Sequence, residues 1–323
     1  MTRYSEMTAA ELATLKERLE ADYAEIKTRG LSLNMARGKP GADQLDLSSP
    51  MLGILQSGQD CFAEDGTDCR NYGVLDGLPE AKRLMAAMID DEPDNIIVAG
   101  NSSLTLMHDA LAWCLDYGPE EGAPWMMFDT VKWLCPCPGY DRHFRITETF
   151  GIELIPVPMN DDGPDMDVVE KLAASDPAIK GIWCVPQYAN PTGVTYSDEV
   201  VRRLAAMPCA AHDFRIFWDN AYSVHHLFDK PEHQDHVLDI GAACRAAGNP
   251  LRYFKFASTS KVTLPGAGIA AFAANPDNVG WFKRHLGITT VGPDKLNQLR
   301  HVRFLKDAEG IAAHMRKHAA ILR

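Results

Sequence analysis

Short apolar runs recur along most of this chain, with helical patterns between them. They are Ile96–Ala99, Trp125–Phe128, Ile152–Pro158, Ile179–Pro186, Arg215–Trp218, Tyr253–Ala257 and Gly268–Ala273. Runs this short that alternate with helical spacing predict strands of a mostly parallel sheet, covered by helices on both faces. A doubly covered sheet needs a large apolar interior, and 323 residues with 46% hydrophobic content can supply it.

A parallel sheet collects ligands where its strands end at their carboxyl termini. The polar stretches that follow the runs are therefore the candidate site: Gly100-Asn-Ser-Ser103, Asn190-Pro-Thr-Gly193, Asp219-Asn-Ala-Tyr222 and Ser258-Thr-Ser-Lys261. Singly, each has an ordinary explanation. A lysine beside hydroxyl residues is usually a surface residue, an aspartate after a strand usually caps the next helix, and Asn-Pro-Thr-Gly favours a turn. Lys261 follows an apolar strand, however, and an amine set there can be partly desolvated and reactive. A carboxylate at the position of Asp219 can hold a pyridine nitrogen protonated.

Order and spacing add what single motifs lack, because the Asn-Pro-Thr-Gly, Asp-x-x-Tyr and Ser-x-Ser-Lys signals follow successive strands on one sheet edge. The set resembles the fold-type I pyridoxal-phosphate-dependent aminotransferases. Pro138-Gly-Tyr-Asp-Arg-His143, Val185–Gly193 and Trp218–His226 are similar to the bacterial aspartate aminotransferase branch related to MocR-type sequences, over a span from about Leu33 to the last residue.

The resemblance implies an α/β large domain that binds pyridoxal 5'-phosphate, and it implies roles residue by residue. Lys261 would carry the cofactor as a Schiff base and then move a proton from the substrate Cα. Asp219 would pair with the pyridine N–H, so that charge developing at Cα spreads into a cationic ring. Asn190 and Tyr222 would bond the phenolic oxygen, and Asn190 would also border the substrate. Tyr140 would stack on the ring. Gly100, Asn101, Ser102 and Ser103 would receive the phosphate at a helix N-terminus, with Ser258 adding a hydroxyl. Tyr72 would reach the phosphate of a neighbouring subunit, which implies a homodimer with shared sites.

The family pattern departs at charges. After Lys261 the stretch Val262-Thr-Leu-Pro-Gly-Ala-Gly268 has glycine or alanine where an arginine normally meets the phosphate. The arginine that grips the substrate α-carboxylate lies, in the family, beyond residue 323. A loop arginine, Arg37, is assigned to the substrate entrance. The helical pattern Leu305–Arg323 has no Gly or Pro terminator, so the chain is expected to be C-terminally truncated. The domain expectation is an N-terminal helix and entrance segment over 1–45, a cofactor-binding large domain over 46–290, and the start of a small domain over 291–323.

The resulting expectation is transfer of an amino group between an acidic amino acid, aspartate first, and a 2-oxo acid, 2-oxoglutarate first. The alternatives are another reaction of the same cofactor, such as β-elimination, or a non-catalytic sensor. A net charge of −12 argues against nucleic acid as partner. The N-terminus lacks the apolar core of a signal peptide and no run reaches membrane-spanning length, so a cytoplasmic protein is expected. The eight cysteines are scattered, which favours reduced thiols. His225 and His226, with His233 and His236, belong to the family pattern, so no metal is expected there. Trp125-Met-Met-Phe128 is expected as core strand.

Overall fold

The computed structural model describes residues 4–32 and 38–323. These form two compact units divided between Pro40 and Gly41. In the first, the helix Ala9–Thr28 starts at a capping box between Thr8 and Glu11, and it buries none of its residues. Arg37 lies outside the described residues.

The second unit is built on one eight-stranded sheet in the order β1-β8-β7-β6-β5-β2-β3-β4. The strands are β1 Ile96–Val98, β2 Lys132–Cys137, β3 Glu153–Asn160, β4 Gly163–Pro164, β5 Ile179–Cys184, β6 Arg215–Asp219, β7 Tyr253–Ser258 and β8 Ala270–Ala273. Neighbours from β3 through β2, β5 and β6 to β7 are parallel, while β8 runs antiparallel to both β7 and β1. This is the mostly parallel α/β sheet the alternating runs predict. Its central strands are buried on both faces, and the charged Lys180 and Lys255 within them are paired with Asp213 and with Asp91 and Asp239.

The exception is Trp125–Phe128, read from the sequence as core strand. It forms a 3₁₀ turn over Trp125–Met127, and only Trp125 is buried; Met126 and Met127 are 65% and 75% exposed. Pro124 precedes the turn, and the Trp125 indole N–H donates to the buried carboxylate of Asp213 at 2.7 Å. The strand in this region is instead Lys132–Cys137, which is not among the apolar runs read as strands and carries Pro136 within it. Pairing of β2 with β5 ends at Leu134, so Pro136 lies where the strand is flanked by β3 alone.

Aromatic rings join the strands on one side of the sheet. Phe217 meets Trp133 at 5.0 Å, Trp183 at 4.9 Å and Phe254 at 5.4 Å between ring centres. Opposite them, β7 and β8 present Ala257, Ala271 and Ala273, small enough to admit the helix Pro79–Ile89 into a second cluster. Leu299 and Leu305 from the helix Lys295–Leu305 complete that cluster, with Ile311 and Met315 from the helix Ala308–Leu322. The pattern read as one stretch from Leu305 is thus split, and Asp307 caps the second helix by accepting from Gly310 N–H. All eight cysteines are free thiols, Cys137 and Cys209 half-buried and the others buried. No helix among the described residues is long and apolar enough to cross a membrane.

Candidate active site

The parallel strands bring their carboxyl ends to one edge, and Asp219 closes β6 there as a residue only 4% exposed. Ionised carboxylates are not buried without partners. One oxygen, Oδ2, lies 2.9 Å from Nε2 of His143, itself buried. The other, Oδ1, is buried with no partner among the described residues. His143 is carried by the helix Asp141–Thr149, whose N-cap is Tyr140. Its ring stacks on Trp183 at 4.6 Å and meets Tyr140 edge-on at 5.1 Å.

His143 has no assigned role in the sequence reading, although it ends a quoted motif. The signal was present: Tyr140 and His143 are three residues apart, the spacing that puts two side chains on one helical face. Burial and the charge of Asp219 hold the Tyr140 phenol above its ordinary range.

Beyond β6, the Tyr222 hydroxyl is 3.5 Å from the Asn190 amide nitrogen. Lys261 sits in the 3₁₀ turn Thr259–Lys261 that ends β7, with Nζ 4.9 Å from the centre of the Tyr222 ring. Ser258 Oγ donates to Ser260 Oγ at 3.1 Å, and Ser260 Oγ reaches the Asn101 carbonyl at 3.5 Å. The Lys261 turn and the Gly100–Ser103 turn therefore touch.

That second turn leads from β1 into the helix Ser103–Tyr117. Gly100 adopts φ +65°, a left-handed conformation that glycine reaches without strain. Ser102 caps the helix without a side-chain bond, and the Ser103 and Leu104 N–H groups have no partner among the described residues. A helix N-terminus with free amides suits an anion such as a phosphate. Tyr72 stands apart, 84% exposed on its loop. His225 and His226 separate: His226 Nδ1 meets the Tyr188 hydroxyl at 2.9 Å, while His225 Nε2 faces the Lys261 carbonyl at 3.3 Å.

The aspartate amino-transferase family model matches residues 7–323. The chain belongs to this family. It is 46% identical to an aspartate aminotransferase of Corynebacterium glutamicum over 332 residues, covering 100% of this chain and 76% of the relative. A crystal structure of an aspartate transaminase from that organism superposes with a TM-score of 0.90, covering 98% of this chain and 73% of the other at 46% identity. An α-aminoadipate aminotransferase of Thermus thermophilus, solved with N-(5'-phosphopyridoxyl)-L-leucine, shares the fold at a TM-score of 0.67 and 20% identity, covering 87% and 66% of the two chains.

The chain is accordingly an aminotransferase, a family that uses pyridoxal 5'-phosphate. The residues fit that group. Asp219 Oδ1 is a buried acceptor that lacks a donor, which a protonated pyridine nitrogen provides. The free amides of Ser103 and Leu104 suit a phosphate, and Lys261 offers an amine over the Tyr222 ring.

Proposed function

We propose that this aminotransferase exchanges the amino group of aspartate for the oxo group of 2-oxoglutarate, releasing oxaloacetate and glutamate, with Lys261 as the amine that holds the cofactor. The observation that carries the reading is Asp219, a buried carboxylate held on one oxygen by His143 and open on the other. The aspartate aminotransferase name of the 46% identical relative supports the choice of substrate.

When bound, pyridoxal phosphate supplies an electron sink for the charge that develops at the substrate Cα. The protein's part is orientation and proton movement. Asp219 keeps the pyridine nitrogen protonated, and His143 keeps Asp219 aimed. Asn190 and Tyr222 donate to the phenolic oxygen, and Asn190 borders the substrate. Tyr140 covers one face of the ring. Gly100, Asn101, Ser102, Ser103 and Ser258 hold the phosphate. The Lys261 amine would hold the cofactor and serve as the base that moves the proton from the substrate Cα. Arg37 remains a candidate for the substrate entrance. The exposed phenol of Tyr72 fits a homodimer in which it reaches the partner's phosphate.

Borohydride reduction of the cofactor-loaded protein, followed by peptide mapping, tests the central assignment. The label is expected on Lys261. Its appearance on Lys255 or Lys283 instead would overturn the reading.

A further inference from the structure

A single 3₁₀ turn has little stability of its own, so the direction of the Lys261 amine depends on what grips the turn from outside. Inside the turn, Val262 N–H donates to the Thr259 carbonyl at 2.9 Å. Behind it, His301 Nε2 lies 3.1 and 2.9 Å from the hydroxyls of Thr259 and Thr263, and His314 Nε2 lies 2.8 Å from the Val262 carbonyl. These contacts hold the residues that flank Lys261.

The lysine's own peptide is held by His225. The ring's Nε2 is 3.3 Å from the Lys261 carbonyl, and a carbonyl only accepts, so Nε2 carries the proton. Nδ1 is then a bare acceptor, and it is buried with no partner among the described residues. The same ring meets the Tyr222 ring edge-on at 5.4 Å, and the His225 backbone N–H bonds the Tyr222 carbonyl at 3.0 Å. The Lys261 amine in turn stands over the Tyr222 ring. A closed circuit results, from the Lys261 carbonyl through the His225 ring and the Tyr222 ring to the Lys261 amine. Desolvation pushes His225 down to about 4, with the Lys261 amine, His318 and Tyr222 as its neighbours, so at neutral pH the ring adds no charge to the site.

We propose that His225 is a positioning residue that fixes the Lys261 amine over Tyr222 through the lysine's own carbonyl. The inference rests on the reading of Lys261 given above. A ring that merely filled space would leave both buried nitrogens unpaired at a cost, whereas here the Nε2 proton is committed to the Lys261 carbonyl.

The test compares His225→Phe, which keeps an edge-on ring but has no donor, with His225→Gln, whose amide can donate to the same carbonyl. In the cofactor-free protein, trace acylation read by mass spectrometry gives the reactivity of Lys261 relative to exposed Lys283. His225→Phe should change that ratio several-fold and lower kcat by roughly ten- to a hundredfold with KM within about twofold, the pattern of a misplaced reacting group. His225→Gln should restore both to within about threefold of the parent. A Phe variant equal to the parent in both readouts, or a Gln variant as impaired as Phe, would overturn the proposal.

Nitrogen-15 spectra of histidine-labelled parent protein give a check that needs no variant. His225 should be neutral and protonated on Nε2 at pH 7, and a proton on Nδ1 or a cationic ring would also overturn it. Borohydride mapping separates the two levels of the argument. No label on Lys261 defeats the functional reading itself, whereas a Lys261 label with an indifferent His225→Phe defeats only the positioning role.

Discussion

Asp219 presents one oxygen to His143 and leaves the other buried and open, so its two neighbours have separable roles. Asp219→Ala should lower the transamination rate by about a hundredfold or more while weak cofactor binding survives, since the carboxylate matters most as charge develops. Full activity in a steady-state assay of that variant would remove Asp219 from the site. His143→Leu acts one step back, stripping the remaining partner from a buried carboxylate. It should cost about 1–3 kcal/mol of stability, measured by denaturant unfolding, and should lower activity less than the Asp219 change does. At this scale the strand-end motifs were legible because reactive side chains must stand at the sheet's ligand edge. The His143 contact was not, because it spans 76 residues of sequence and depends on two elements packing together.

Among the elements, strands flanked by helices were readable from hydrophobic runs alone, and most of those runs are strands here. Trp125–Phe128 misled because its composition is apolar although its geometry is a surface turn anchored by one indole. The true strand, β2, lies outside the apolar runs and carries Pro136, which is harmless there only because of where its neighbours pair. Close approach of elements shows the same dependence on context. A Cβ at Gly181 on β5 would clash with the Trp133 ring and lie 2.6 Å from the Arg215 carbonyl. Gly181→Ala should therefore destabilise the sheet by roughly 1–3 kcal/mol through overpacking, seen as a lower midpoint in chemical denaturation. An unchanged midpoint would mean that the ring relocates freely.

Over the whole molecule, buried neutral imidazoles tie its C-terminal helices to the lysine turn and set an acid limit. Burial pushes His225, His301 and His314 from 6.5 down to about 4. The unfolded chain therefore binds more protons than the fold between those values. Stability from these groups is complete above pH 6.5 and is lost as pH falls toward about 4. Melting temperatures should decline across that window, with a shallower decline in His301→Gln, and a rise on acidification would contradict the assignment. The sequence by itself determined the α/β class, the strand-end placement of Asn190, Asp219 and Lys261, and the family resemblance, because hydrophobic period and motif order are local properties of the chain. Only the tertiary structure decided that His143 partners Asp219, that His225 and Tyr222 enclose Lys261, and that Pro136 is tolerated within a strand. Those outcomes depend on which distant surfaces meet, and on whether each buried polar atom finds a partner when they do.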